Sequence, residues 1–219
     1  MLSIVSAKYF DHTLLKPAAS TAEVSTLCDE AIEYGFFSVC VNPSRVKKVH
    51  SLLAGTAVKT CSVVGFPLGS SLSSIKAIET EQAIRDGADE VDMVINLGAL
   101  KDRDFKYVED DIRDVVAAAG NNIVKVIIET GLLGRDEIVT ACEIVCRSGA
   151  HFVKTSTGFA GGGATADDIA LIKKTVGNRL LVKASGGIKT LSDAEEMIKA
   201  GADRIGASAS VDIMRELES

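Results

Sequence analysis

The chain has 219 residues, 47% of them hydrophobic, 25% charged and 5% aromatic, with 19 Gly, 3 Pro, no Trp and a net charge of −6. That apolar content excludes a disordered segment, and the length provides a core that needs neither disulfides nor a structural metal. The acidic balance argues against a general nucleic-acid binder, whose affinity rests on clustered Lys and Arg, but leaves room for a local basic pocket holding one small phosphate.

Apolar, β-branched runs alternate with helix-length segments along the whole chain, the pattern of a parallel sheet with helical crossovers. Strands are predicted at Phe10–Leu14, Phe36–Val41, Lys59–Val64, Glu90–Asn96, Ile123–Glu129, Phe152–Ser156, Leu180–Ser185 and Arg204–Ala207. Helix starts are marked between them. Ser20 with Glu23 and Thr190 with Asp193 have capping-box spacing, Asn42-Pro43 offers an N-cap followed by Pro, and Thr165 precedes the acidic pair Asp167 and Asp168. Helix stops fall at Gly35, Gly87, Gly149 and Gly201, where a left-handed residue is wanted.

Three of these stops read alike, in Gly87-Ala88-Asp89, Gly149-Ala150-His151 and Gly201-Ala202-Asp203, each leading into every second strand. That periodicity suits a closed eight-stranded (β/α)8 TIM barrel whose odd and even strands contribute alternate layers. No linker or low-complexity tract interrupts it, so residues 1–219 are expected to form a single domain. The alternative, an open doubly wound sheet, usually has a Gly-rich turn after its first strand, whereas here Leu14-Leu15-Lys16-Pro17 follows.

Strands covered on both faces should read as continuous Val, Ile and Leu. Several here carry a charge flanked by apolar residues: Asp92 in VDMVIN, Lys125 in KVIIET, Lys154 in FVKTSTGF and Lys183 in LVKASGGI. Residues two apart share a strand face, so each charge leads toward a polar residue at the C-terminal end of its strand, where barrel enzymes do their chemistry. One buried lysine is explained as readily by snorkelling or by an ion pair with Asp92 or Glu129. Three in neighbouring strands beside a carboxylate point instead to imine formation, because burial and a second cation favour the neutral, nucleophilic amine. Asp92 suits the proton transfers such a reaction needs. Spacing leaves open which lysine attacks.

Glycines follow the last two strands, in Ser185-Gly186-Gly187 and Gly206-Ala207-Ser208, the places where barrels recurrently bind phosphate. Gly161-Gly162-Gly163 reads equally as a mobile lid, a close backbone approach or a plain connection. His12, His50 and His151 have no ligand spacing with a carboxylate or thiol, so no metal is expected. Cys28, Cys40, Cys61, Cys142 and Cys146 contain no CxxC pair and read as reduced thiols of a cytoplasmic protein. Of these, Cys40 near the end of the second strand is placed at the mouth of the site, as lining rather than nucleophile. No apolar run approaches the ~20 residues that span a bilayer, and the N-terminus has no leader pattern, so no membrane partner is expected.

With DHTLL, SVCVNP, GADEVDMVIN, KVIIET, FVKTSTGF, VKASGGI and GAS in this order, the chain resembles the deoxyribose-phosphate aldolases from Asp11 to Ser208. The resemblance implies a class I aldolase that cleaves 2-deoxy-D-ribose 5-phosphate to D-glyceraldehyde 3-phosphate and acetaldehyde, with no metal or organic cofactor. It implies Lys154 as the Schiff-base lysine, Asp92 as the proton carrier and Lys183 as the second lysine. Lys125 and Asp11, with Cys40 nearby, match the supporting polar network, and Gly186, Gly187 and Ser208 match phosphate-loop positions. Some members carry a second serine where this chain has Ala209. Implied partners are a sugar phosphate and aldehydes, with a homo-oligomer, dimer or tetramer, left open. Two rivals are another class I aldolase or transaldolase acting on a ketose, and a barrel that binds sugar phosphate without catalysis.

Overall fold

A computed structural model describes residues 4–218. Eight strands, β1 (Phe10–Leu14), β2 (Ser38–Val41), β3 (Lys59–Val64), β4 (Glu90–Val94), β5 (Ile123–Ile127), β6 (Phe152–Lys154), β7 (Leu181–Ser185) and β8 (Arg204–Ala207), pair in parallel and in chain order. The ring closes where Asp11 of β1 meets Gly206 of β8. The architecture is the expected (β/α)8 barrel. Around it lie α1 (Thr21–Tyr34), α2 (Val46–Leu52), α3 (Ser73–Arg85), α4 (Leu97–Lys101), α5 (Phe105–Ala119), α6 (Arg135–Arg147), α7 (Ala166–Val176), α8 (Leu191–Ala200) and α9 (Ser210–Glu218).

The pleat divides the strands into two chemistries. Val39, Val41, Val91, Met93, Val124, Val126, Val153, Val182 and Ile205 turn outward and join helix residues such as Leu27, Ile112, Ile138, Ile172 and Met197 in one continuous apolar core. Burying each such side chain contributes roughly 1.5–3 kcal/mol, so the layer between sheet and helices supplies most of the stability. The alternate residues face the axis, and there Asp11, Glu90, Asp92, Lys125, Lys154, Lys183 and Arg204 are all buried.

Helix ends follow the predicted signals with one exception. Ser20–Glu23 and Thr190–Asp193 form reciprocal capping boxes, and Thr165 Oγ1 accepts the Asp168 N–H at 3.1 Å. Asn42 does not cap with its side chain: the amide donates to the Leu15 carbonyl at 3.2 Å, and Pro43 opens a 3-10 turn rather than α2 itself. Several strands stop earlier than predicted. After Val94 the chain turns so that Asn96 caps α4 through Ala99, and after Ile127 it bends into a left-handed residue at Glu129.

The Gly-Ala-Asp/His repeat has a mechanical explanation. Asp89, His151 and Asp203 each donate their backbone N–H to a carbonyl of the preceding strand, at Thr60, Val124 and Val182 respectively. Their side chains accept the N–H of that same residue, at 2.9, 3.1 and 2.9 Å. Each even strand from β4 onward is thus stitched to its odd neighbour at the N-terminal end of the barrel, and His151 Nδ1 does the work of a carboxylate. His151→Ala, which orphans the Val124 N–H, is expected to lower stability by about 1–3 kcal/mol in urea unfolding, with His151→Asp restoring most of it.

Candidate functional site

The interior charges form one connected cluster organised by strand register. Asp92 stands beside Lys125 across β4–β5, Lys154 beside Lys183 across β6–β7, and Lys183 beside Arg204 across β7–β8. Asp92 Oδ2 accepts from both Lys154 Nζ and Lys183 Nζ at 2.7 Å, while Oδ1 accepts from Lys125 Nζ at 2.9 Å. Lys183 also donates to Asp11, which is held from its other side by Arg204 at 2.8 Å. Glu90 completes the base of the cluster, 2.6 Å from Lys125 and 3.5 Å from Arg204. Below, the Arg204 guanidinium lies 3.3 Å from the centroid of the Phe37 ring.

These partners decide the charges. Burial pushes the Asp92 carboxyl up, but Lys125, Lys154 and Lys183 outweigh it and hold the group well below the usual carboxylate range. Burial acts on Asp11 in the same direction and is likewise overcome, by Lys183, Lys125 and Arg204. For Lys183, desolvation would lower the value, yet Asp11 and Asp92 keep the ammonium above the ordinary lysine value. Lys125 is raised too, with Asp92 its strongest opposing influence to burial. Three carboxylates therefore face three firmly held cations, and no fourth carboxylate matches a charge on Lys154.

The predicted residues separate into those at the cleft and those beneath it. A cleft of about 250 Å³ opens at the C-terminal end of the barrel, lined by Lys154, Gly186, Gly187 and Ser208 together with Leu14, Thr157, Phe159 and Ile188. Lys154 is the one member of the charge cluster that lines it; Asp92, Lys183, Lys125 and Asp11 are fully buried below. Cys40 is not at the mouth. The pleat of β2 turns it inward beside Cys61, and Leu15 and Phe66 pack over the pair, so it sits in the interior wall.

Sequence reasoning missed Glu90, Arg204, Cys61 and two rim lysines, Lys16 and Lys189. Cys61, whose thiol burial raises well above its ordinary value, donates to Asp92 Oδ1 at 3.2 Å. Cys40, Cys61 and Asp92 bring donor atoms within 4.8 Å of one another, but a metal ion there would have to displace ammonium groups from Asp92. Period-two alternation flags Glu90 and Arg204, which share faces with Asp92 and Gly206. They lie at strand starts, where a charge is ordinary.

The glycines have assignable tasks. Gly186 and Gly187 adopt φ of 85° and 81°, which favours glycine and turns the loop after β7 along the cleft. A Cβ on Gly206 would come within 3.0 Å of the Lys183 Cε, so this glycine makes room for the lysine as well as lining the cleft. Gly163 is close-packed rather than lid-like: a Cβ would lie 2.5 Å from the Gly186 carbonyl, and Ala164 N–H bridges Ser185 and Gly186.

A closed parallel barrel with one lysine at the floor of a glycine-lined cleft has the layout of a (β/α)8 enzyme suited to carbonyl chemistry. The profile of the DeoC/LacD family aldolases matches residues 5–215, and the chain belongs to that family. It is 58% identical over 214 residues to deoxyribose-phosphate aldolase 2 of Staphylococcus aureus, covering 98% of this chain and 97% of that protein. The deoxyribose-phosphate aldolase of Clostridium perfringens is 57% identical over 208 residues, with 94% and 93% covered. Among solved structures, the tetrameric deoxyribose phosphate aldolase of Aeropyrum pernix superposes with a TM-score of 0.92 at 33% identity, covering 97% and 91%.

Asp11 and Asp92 set the acid limit of stability. Below the unfolded aspartate value of about 4, the unfolded chain binds protons that the native carboxylates still refuse, so stability falls as pH falls. With these two groups alone the slope is about 1.4 kcal/mol per pH unit at that value and approaches about 2.7 kcal/mol per pH unit a unit or more below it. Urea unfolding across pH 2–5 tests this, since a flat dependence would mean that neither carboxylate is held ionised.

Proposed function

We propose that the protein reversibly cleaves 2-deoxy-D-ribose 5-phosphate to D-glyceraldehyde 3-phosphate and acetaldehyde through an imine on Lys154. The reading is carried by Lys154, alone of the charge cluster, meeting the cleft while its Nζ rests 2.7 Å from Asp92. The Lys154 amine attacks C1 of the open-chain sugar, and loss of water from the carbinolamine forms the imine. As the C3 hydroxyl gives up its proton, the C2–C3 bond breaks and its electrons pass to the iminium nitrogen, leaving an enamine. D-Glyceraldehyde 3-phosphate departs, C2 is protonated, and water releases acetaldehyde from the regenerated lysine.

Asp92 and Lys183, linked by a hydrogen bond and both against Lys154, move these protons directly or through water. Lys125 keeps Asp92 ionised and Asp11 keeps Lys183 charged, with Glu90 paired to Lys125 and Arg204 to Asp11; Cys40 packs beside Cys61 and supports the wall. Backbone N–H groups at Gly186 and Gly187 with Ser208 receive the phosphate, and Lys16 and Lys189 at the rim supply positive charge. The chain acts as a single barrel domain on a small sugar phosphate in the cytoplasm, and assembles as a homo-oligomer like the tetrameric Aeropyrum pernix relative. No helix among the described residues is long and apolar enough to cross a membrane.

A coupled assay for released D-glyceraldehyde 3-phosphate tests the assignment. Lys154→Leu is expected to abolish cleavage; retained turnover would refute the imine. Lys183→Leu removes the neighbouring cation and frees an oxygen of Asp92, so Lys154 holds its proton more tightly. Activity near neutral pH is expected to drop by on the order of 10²–10⁴-fold and to recover partly as pH rises. An unchanged pH–rate profile would return Lys183 to a purely structural role.

A further inference from the structure

Just past β5, Glu129 adopts φ 54° and ψ 66°, one of two non-glycine residues among those described with positive φ. A residue with a Cβ holds that conformation only where its surroundings demand it. The turn buries the carboxylate, 1% exposed, against the loop that follows β6. Among the described residues the carboxylate makes no ion pair, and its side-chain hydrogen bonds all come from Thr157. The Thr157 N–H reaches the two oxygens at 3.3 and 3.2 Å, and the Thr157 hydroxyl donates to Oε2.

This arrangement gives the threonine a fixed polarity. The Glu129 side chain accepts from both Thr157 groups, the N–H and the hydroxyl, so the hydroxyl proton points at Oε2. Thr157 Oγ1 in turn accepts the Phe159 N–H at 3.1 Å. One lone pair is left, and Thr157 lines the cleft between Lys154 and the glycine loops. The cleft therefore meets an acceptor whose donor capacity is already committed.

We propose that Glu129 is a positioning residue for the aldol reaction: acting through Thr157, it turns the hydroxyl proton away from the cleft. The site then favours a substrate carrying a hydroxyl between the imine carbon and the phosphate. This rests on the aldolase reading above. In the synthetic direction, that hydroxyl belongs to the acceptor aldehyde, next to its carbonyl. It is present in D-glyceraldehyde 3-phosphate and absent from 3-oxopropyl phosphate.

The test compares kcat/KM for addition of acetaldehyde to these two acceptors in the wild-type protein, Glu129→Gln, Thr157→Val and the double variant. In Glu129→Gln the carboxamide presents an N–H donor to Thr157 and releases its hydroxyl proton; Thr157→Val removes the acceptor with little change of shape. Each single variant is expected to lower the preference for the hydroxylated acceptor by about tenfold. The double variant should lower it little further, because both act on one contact. Equal losses with both acceptors, leaving the preference intact, would overturn the proposal, as would a double variant whose loss is the product of the singles. Borohydride trapping of acetaldehyde is measured in every variant, so failure of the imine and failure of hydroxyl recognition are read separately.

Discussion

One carboxylate, Asp92, accepts hydrogen bonds from three lysines in the interior of the barrel, and the site depends on that shared contact. Removing a single ion from water costs several kcal/mol even after relaxation, and like charges this close repel. The lysines are tolerable together only because Asp92 lies at their junction, with Asp11 and Glu90 behind it. Take Asp92 away and Lys125, Lys154 and Lys183 lose their common partner. The molecule contains a useful contrast in Lys76, equally buried, which α3 pairs with Asp111 at 2.6 Å and with the Val94 carbonyl at 2.9 Å. That pair is matched one to one, does not line the cleft, and ties β4 to its surrounding helices. The axial cluster sets four basic side chains against three carboxyl groups, and the basic one that lines the cleft is Lys154.

Desolvation offsets most of what the attractions in such a cluster return, so the larger part of the stability comes from elsewhere. The outward strand faces and the helices form the apolar core, and the Asp89, His151 and Asp203 stitches hold the opposite end of the barrel. The two ends divide the labour. Side chains at the N-terminal end satisfy backbone groups, while at the C-terminal end loops such as Gly186-Gly187 turn along the cleft. Gly206 links the two requirements, since its missing Cβ gives the buried Lys183 its space.

Much of this arrangement was legible before any coordinates. Alternation with period two predicts that Asp92, Lys125, Lys154 and Lys183 share the interior, and the capping boxes at Ser20 and Thr190 announce α1 and α8. Other features depend on contacts between distant segments. Arg204 and Glu90 stand at strand starts beside glycine stops, where charges usually meet solvent, and only barrel closure brings them to Asp11 and Lys125. Cys40 looks like a mouth residue along β2, but Leu15 and Phe66 arrive from other loops and cover it. Glu129 belongs to an apparent strand until the backbone turns left-handed, and its partner is then a threonine rather than a lysine. The Gly-Ala-Asp repeat was visible as a period, whereas its hydrogen bonds required the neighbouring strand.

The most direct test of Lys154 as the reacting member of the cluster is reduction with borohydride in the presence of acetaldehyde, followed by peptide mass mapping. An N-ethyl group on the peptide containing Lys154, with Lys125 and Lys183 unmodified, is the expected result. Modification of Lys125 or Lys183 in its place, or no adduct at all, would contradict the assignment of the reaction to the one amine of the Asp92 cluster that lines the cleft.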